Sequence, residues 1–414
     1  MNTDLVIYNI GQLVTGRELE IENNSCMENI EIIENGYLVV RDGKIVTVGS
    51  GEIPSKYVNL TTKLIDCEGR VVTPGLIDSH THLVHGGSRE HEFSKKIQGV
   101  PYLEILKSGG GILSTVKSTK EATEDELLKK AKKSLGVMLS LGVTTVESKS
   151  GYGLDLETEL KQLRVNERLN HEQEVEIIST FMAAHATPPE YNGDSEKFID
   201  DVIKMLPIIK ENKLAKFCDI FCEEGVFSKA QSKKLLLEGK KYGLKPRIHA
   251  DEIENTEGAQ LAVEIGAYSA DHLMAISNEG IEVLKNSKTI ANLLPGTSFN
   301  LGKEYAPARK MIDSGVQVAL STDYNPGSCP SENLQLVMQI AASKLRMRPL
   351  EIFKAVTINA AKALDKEKEI GSLEEGKNAD IVIFDAENID YILYHFGINH
   401  TKKVFKNGCL VFKK

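Results

Sequence analysis

This 414-residue chain lacks the features that place a protein in a membrane, on nucleic acid or outside the cell. It has no run of about 18 apolar residues, so no segment is predicted to cross a membrane as a helix. Its first residues lack the basic and then apolar pattern of a secretory signal peptide, so we expect a cytoplasmic protein. A net charge of −9, with lysines interspersed among glutamates, provides no basic patch. We therefore expect neither nucleic acid nor a membrane as a partner.

Cysteine is also sparse. Six cysteines are scattered along the chain, a pattern typical of reduced thiols and not of a disulfide framework. Cys218 and Cys222 alternate with Phe217, Ile220 and Phe221, so we predict that both are buried in a strand. No second cysteine pair is present to complete a tetrahedral sulfur site around a metal.

The two ends of the chain share a β-rich pattern. Residues 1–70 contain short apolar runs separated by turns, and no helical period of useful length. Residues 378–414 are similar, and Asn407-Gly408 there joins two short runs as a hairpin. Because neither piece can bury a good core alone, we predict one small β-sandwich domain composed of residues 1–70 plus 365–414.

Between these ends, candidate strands alternate with amphipathic helices. The strands are predicted at residues 72–82, 143–148, 176–185, 217–223, 245–249, 268–273, 289–293 and 316–322. The clearest helices are predicted at residues 124–141, 157–171, 195–212, 228–242 and 257–265. This alternation predicts an α/β fold, a (β/α)8 TIM-type barrel over residues 71–364. The chain length fits such a barrel plus a smaller unit as well as it fits two or three ordinary domains.

An apolar run ends in two histidines, His80 and His82, separated by one residue. Residues i and i+2 of a strand project to the same face, so both imidazoles can point at one metal ion. An isolated pair of this kind also occurs on solvated strands, so further ligands must come from later in the chain.

Ligand-type side chains recur where other predicted strands end, at the face of a barrel that forms its active-site mouth. They are His80 and His82, His185, His249 with Glu252, His272, and Asp323. Each alone is more often a structural polar group, but their convergence at one mouth predicts a site.

The chemistry of this set restricts the metal. Three imidazoles and a carboxylate suit Zn²⁺ or iron and suit Ca²⁺ or Mg²⁺ poorly. One ion is the economical prediction, because a second would need a bridging ligand at the end of the fourth strand. Glu223 and Glu224 stand there, and we interpret them as part of a solvated loop.

Several stretches match motifs of a known superfamily. They are Pro-Gly-Leu-Ile-Asp-Ser-His-Thr-His at residues 74–82, the later His249 and His272, Ser-Thr-Asp at residues 321–323, and Gly-Ser-Leu-Glu-Glu-Gly-Lys-Asn-Ala-Asp at residues 371–380. Along nearly its whole length the chain resembles the metal-dependent amidohydrolase superfamily. Stretches at residues 86–93, 147–153, 183–188 and 323–328 are similar to one branch, whose members open a cyclic amide that carries a propionate tail.

The resemblance implies a hydrolase of carbon–nitrogen bonds with a small-molecule substrate that has a carboxylate tail. It implies one metal ion per chain, Zn²⁺ or iron (Fe²⁺ or Fe³⁺), held by His80, His82, His249 and Asp323. Catalysis is expected from Glu252, His272 and Asp323. Substrate contacts are expected from Arg89, Tyr102, Tyr152, His185, Glu252, Asn325, Gly327 and Ser328. We further expect a homodimer.

Arg89 separates the alternative functions. Its planar fork can pair with a carboxylate through two parallel hydrogen bonds. A deaminase of purines or pyrimidines would share the barrel and the metal, but a neutral nucleobase gives this guanidinium no partner. A barrel that only binds a ligand would be expected to have lost metal ligands, and here every predicted position carries a suitable residue.

Overall fold

A computed structural model describes residues 3–20, 27–99 and 110–414 of the chain. The strands are β1 Leu5–Glu18, β2 Ile30–Arg41, β3 Lys44–Ser50, β4 Lys63–Asp66, β5 Val71–Pro74, β6 Leu76–Asp78, β7 Val143–Lys149, β8 Glu176–Ala184, β9 Phe217–Cys222, β10 Lys245–Pro246, β11 Ile248–Ala250, β12 Ser269–His272, β13 Ile290–Leu293, β14 Val318–Leu320, β15 Ile381–Phe384, β16 Thr401–Lys406 and β17 Cys409–Lys413. The helices are α1 Glu90–Ile97, α2 Ile112–Glu121, α3 Glu124–Ser140, α4 Leu156–Glu172, α5 Ser195–Ile203, α6 Leu206–Glu211, α7 Lys229–Lys241, α8 Gly258–Ile265, α9 Asn278–Lys285, α10 Pro295–Leu301, α11 Ala308–Ser314, α12 Leu334–Lys344, α13 Pro349–Ala355, α14 Ile358–Ala363 and α15 Ile389–Tyr394, with short 3₁₀ turns at Ser55–Tyr57 and Pro189–Tyr191.

Strands from both termini form one continuous sheet in the order β17-β16-β15-β5-β1-β2-β3, with β4 also paired to β1. The long strand β1 pairs with β2 along one edge and with β4 and then β5 along the other. The inner residues of this sheet enclose an apolar core of their own, which includes Leu5, Ile381 and Phe405. Asn407 and Gly408, both with positive φ, form the predicted hairpin turn. The prediction of a β unit built from both ends of the chain is confirmed.

The remaining strands form a parallel sheet in the order β6-β7-β8-β9-β11-β12-β13-β14, with β10 paired to β9. A parallel bridge between Thr81 and Tyr324 joins the two ends of this order just beyond β6 and β14. There the amide of Asp323 donates a hydrogen bond to the carbonyl of His80 at 3.1 Å, and the amide of His82 donates one to the carbonyl of Tyr324 at 2.8 Å. The predicted (β/α)8 barrel is confirmed.

Two elements show the clearest differences from the sequence prediction. The first barrel strand was predicted to run to residue 82, but it ends at Asp78, so both histidines of the pair lie in the closing segment beyond it. The helix predicted at residues 195–212 is interrupted between Ile203 and Leu206. Pro207, in the first turn of α6, has no amide hydrogen to donate to the carbonyl of Ile203, so a continuous helix would lose that hydrogen bond.

Cys218 and Cys222 are buried as predicted, at 1% and 0% exposure. Over the described ranges of the chain, no helix has both the length and the apolar character that a membrane span requires.

Candidate metal centre

His80 and His82 lie where the barrel closes, and the main chain fixes both. The bridge between Thr81 and Tyr324 holds the residue between them, so the two imidazoles enter the barrel mouth on the same side of the seam. His80 is 0% exposed and His82 2%. Backbone pairing at the closing seam therefore fixes where both histidines enter the mouth.

The structure brings the four predicted metal ligands together. Nitrogen atoms of His80, His82 and His249 all lie within 4.8 Å of one another. Oδ1 of Asp323 lies 3.6 Å from Nε2 of His80 and 3.8 Å from Nε2 of His82. The ring centroids of His80 and His249 are 4.6 Å apart. Three imidazoles and a carboxylate from strand ends one, five and eight thus converge on one small volume.

Unpartnered nitrogen atoms test whether this volume fits a metal ion. Nε2 of His80 and Nε2 of His249 are buried without a hydrogen-bond partner in the described structure. Buried polar atoms are normally satisfied, and an imidazole nitrogen with a free lone pair is a metal ligand. The donor set therefore fits a divalent metal of the zinc or iron type.

The second nitrogen of each of these two rings is held by a carboxylate. Nδ1 of His80 lies 3.0 Å from Oδ2 of Asp271, and Nδ1 of His249 lies 3.1 Å from Oδ1 of Asp219. A hydrogen on Nδ1 leaves the lone pair on Nε2, facing the cluster. Burial, together with the nearby Lys149, holds the pKa of His80 well below its usual value, so its ring is neutral, as a metal ligand must be.

Glu252 and His272 stand beside this cluster. Oε2 of Glu252 lies 3.4 Å from Nε2 of His272, and the Glu252 side chain is 16% exposed. Burial and the neighbouring Asp323 charge raise the pKa of Glu252 to about 8. Both His272 and Asp323 have positive φ, at 78° and 55°, a strained backbone conformation for these residue types and one that clusters at functional sites.

The expected substrate residues line the same mouth. The imidazole of His185 stacks on that of His82 with centroids 4.8 Å apart, and Tyr152 lies 5.3 Å from His185 between ring centroids. In the last loop, the side chain of Asn325 accepts the amides of Gly327 and Ser328, at 2.8 and 2.7 Å. Asn325 thus shapes the loop. Tyr102, also predicted to contact substrate, lies outside the described residues.

Arg89 does not present a fully free fork. Its Nε and Nη2 donate to the two carboxylate oxygens of Glu92, at 3.0 and 2.8 Å. Glu92 also accepts the amide of Gly111 at 2.8 Å. A Cβ atom added at Gly327 would lie 2.2 Å from Nη1 of Arg89. The guanidinium is therefore clamped on one edge by Glu92, and its other edge faces the last loop.

Sequence reasoning missed several buried charged groups and misread one. Glu223, interpreted as part of a solvated loop, is 1% exposed, and that interpretation is wrong. Its carboxylate accepts the amides of Ile253 and Glu254, at 2.9 and 3.0 Å, and so braces the loop that carries Glu252. Lys149 and Asp219 were missed, although Asp219 stands in a predicted strand and Lys149 directly follows one. An ionic side chain inside an otherwise buried strand was the available signal.

Comparison with known proteins identifies the family of this chain. The model of the amidohydrolase family matches residues 71–411. Imidazolonepropionase of Fusobacterium nucleatum subsp. nucleatum is 64% identical over 415 residues, covering 100% of both chains. That of Alkaliphilus metalliredigens is 55% identical over 419 residues, covering 100% of this chain and 99% of its own. The crystal structure of a zinc-bound adenosine deaminase from Xanthomonas campestris superposes with a TM-score of 0.70 at 15% identity, over 98% of this chain and 92% of its own, a likeness of fold.

Proposed function

The chain belongs to the amidohydrolase family and, within it, to the imidazolonepropionases, and we propose that it hydrolyses 4-imidazolone-5-propanoate to N-formimidoyl-L-glutamate in histidine degradation. The observation that carries the proposal is the buried cluster of ligand-type nitrogens with an arginine at the same barrel mouth. Hydrolysis of a cyclic amide needs an activated water, and recognition of a propionate needs a cation.

The family and the His/Asp clusters imply a divalent metal. We assign one ion per chain, Zn²⁺ or iron, to His80, His82, His249 and Asp323. When bound, such an ion polarises a carbonyl and makes water acidic enough to act as a nucleophile near neutral pH. Asp219 and Asp271 keep the rings of His249 and His80 in the tautomer that this binding requires.

Proton transfer is assigned to Glu252. A carboxyl with a pKa of about 8 is suited to both taking and returning a proton near neutral pH. It would accept a proton from the attacking water and deliver it to the ring nitrogen that departs. We assign stabilisation of the oxyanion to His272, a role supported by its buried Nδ1, which has no partner in the described structure, and we keep Asp323 as the alternative proton acceptor.

The substrate's carboxylate is assigned to Arg89. Glu92 holds its Nε and Nη2, and its Nη1 faces Gly327 of the last loop. We propose that Tyr152 and His185 contact the ring, and we retain Ser328 and Tyr102 as further candidate substrate contacts. We further propose that the protein is cytoplasmic, forms a homodimer and has no nucleic-acid or membrane partner. Sedimentation of the purified protein would test the homodimer.

The deciding experiment follows ring absorbance and free ammonia together in one reaction. In ring opening, the expelled nitrogen stays tethered to the product, so imidazolonepropionate should be consumed without ammonia release. A deaminase would release one ammonia per turnover from a nucleobase. Stoichiometric ammonia from a nucleobase, with imidazolonepropionate untouched, would contradict the proposal.

A further inference from the structure

Five charged side chains are completely buried in the interior of the barrel, next to the histidine cluster. They are Glu147, Lys149, Asp219, Arg247 and Asp271, each 0% exposed. Three carboxylates and two cations leave one net negative charge. Burial of this many ions is costly unless each is paired and hydrogen-bonded, so the arrangement calls for a physical explanation.

Lys149 is at the centre of this group. Its ammonium lies 2.7 Å from Oδ2 of Asp219, 2.9 Å from Oε1 of Glu147 and 3.9 Å from Oδ2 of Asp271. Arg247 supports the far side, with Nη2 lying 3.3 Å from Oδ2 of Asp271. All three carboxylates therefore depend on Lys149 for at least part of their charge compensation.

Two of these carboxylates also touch predicted metal ligands. Asp219 accepts from His249 through Oδ1 while Lys149 binds its other oxygen, Oδ2. Asp271 accepts from His80 through Oδ2, the same oxygen that faces Lys149 and Arg247. One ammonium is thus connected through two carboxylates to His249, on the fifth barrel strand, and to His80, just beyond the end of the first.

We propose that Lys149 is a positioning residue for the metal centre: it orients His80 and His249 by fixing Asp271 and Asp219. This inference rests on the proposed assignment of His80 and His249 as ligands. Replacing buried ion pairs by apolar residues is often neutral or stabilising, so folding stability alone does not account for the network. The geometry of the network does explain its presence, because carboxylates that hold ligand imidazoles set both the orientation of the rings and their basicity as ligands.

The test compares Lys149→Met with Lys354→Met in the full-length protein. Lys354 is an equally buried lysine, 1% exposed at its side chain, whose ammonium binds Glu18 and Asn29 away from the barrel mouth. The metal-free forms are titrated with Zn²⁺ in competition with a chromophoric chelator, and the Co²⁺ forms are compared by visible absorption. We expect the Kd for Zn²⁺ to rise about 10- to 100-fold in Lys149→Met, with an altered Co²⁺ spectrum. Lys354→Met should lower the melting temperature but leave the Kd and the spectrum unchanged.

Two results would overturn the inference. Tighter Zn²⁺ binding by Lys149→Met would show that Lys149 acts only as a positive charge near the ion. Equal Zn²⁺ binding by both variants would show that Lys149 acts only in folding. Should Lys149→Met fail to fold, Lys149→Gln makes the same comparison, since it removes the charge and keeps a donor for one carboxylate. A wild-type chain that binds no Zn²⁺, Co²⁺ or iron would instead contradict the proposed function.

Discussion

At the scale of single residues, the ring nitrogens of the clustered histidines differ in their hydrogen bonding. Some accept or donate a hydrogen bond within the protein, and others are buried without a partner in the described structure. His249 combines both, since Nδ1 contacts Asp219 and Nε2 has no partner in the described structure. We expect His249→Ala to lose nearly all bound metal, measured by elemental analysis, against about one ion per wild-type chain. His395→Ala, which changes a histidine on the terminal unit, is the control. Full metal content or full activity in His249→Ala would contradict the ligand assignment.

Gly327 determines where Arg89 can lie. Because a Cβ atom there would lie 2.2 Å from Nη1 of Arg89, Gly327→Ala should displace the guanidinium. We expect a loss in kcat/KM of about 2 to 4 kcal/mol for Arg89→Ala and a loss of similar size for Gly327→Ala, without additivity in the double variant. Gly136→Ala, where an added Cβ meets nothing within 4 Å, should leave kcat/KM unchanged. Additive losses from the two substitutions would show that Gly327 does not act through Arg89.

Glu252 carries the proposed proton transfer. Glu252→Gln keeps the size of the side chain and removes its ability to exchange a proton. We expect kcat to fall at least about 100-fold while substrate still binds, measured by steady-state kinetics and equilibrium binding. A variant that turns over at the wild-type rate would move this role to Asp323.

At the scale of elements, α4 holds the loop that presents Tyr152. Glu159, in the first turn of this helix, accepts three backbone amides of the loop after β7, from Gly151 at 3.0 Å, Gly153 at 2.8 Å and Leu154 at 2.9 Å. The local sequence of a loop specifies its conformation only weakly. The buried Glu159 carboxylate, which accepts hydrogen bonds from three backbone amides, therefore fixes the conformation of this loop.

Removal of the Glu159 carboxylate should therefore lower the stability of the fold. We expect Glu159→Ala to lower the free energy of unfolding by about 3 kcal/mol or more, measured by urea denaturation, because charged hydrogen bonds to buried amides are lost. Glu157→Ala, an exposed change in the same helix turn, should stay within about 0.5 kcal/mol of wild type. Equal stability of both variants would mean that the loop is held by other contacts.

At the scale of the whole molecule, ion pairs join the terminal sheet to the barrel. Glu18 of β1 contacts Lys354 and Lys362, and Glu176 of β8 contacts Lys406 of β16. Burial alone would raise the pKa of each carboxyl, but the neighbouring ammonium groups outweigh it and hold both pKa values below 4.5. A lowered pKa in the folded state adds stability above the ordinary pKa and loses it as the pH falls.

Acid should therefore weaken the fold partly through this contact. We expect the free energy of unfolding to decline as the pH falls below about 4.5, and Glu18→Gln with Glu176→Gln to show a shallower decline. Urea denaturation at a series of pH values measures both slopes. Glu157→Gln, remote from the contact, should follow the wild-type slope, and a doubly substituted chain that also follows it would exclude this contribution.

Much of the barrel and the convergence of its ligand-type side chains is readable from the sequence, because both depend on local periodicity, whereas the choice of four metal ligands among them came from the family resemblance. Strand and helix periods alternate along the chain, and strand ends of a parallel barrel meet at one face. The positions of His80, His82, His249 and Asp323 therefore predict their convergence before any contact is known. The hairpin turn at residues 407–408 is equally local, since Asn-Gly tolerates positive φ.

Tertiary structure alone decided which charged side chains pair inside the barrel. Lys149 and Asp219 are 70 positions apart, and His80 and Asp271 are 191 apart, so no local period connects them. Glu223 reads as a loop residue, yet it is buried and accepts hydrogen bonds from the amides of Ile253 and Glu254, 30 and 31 positions away. Sequence determined which residues reach the mouth, because backbone direction follows local propensity. Only the closed barrel determined their partners, because an ion pair in a medium of low dielectric forms wherever three-dimensional packing excludes water.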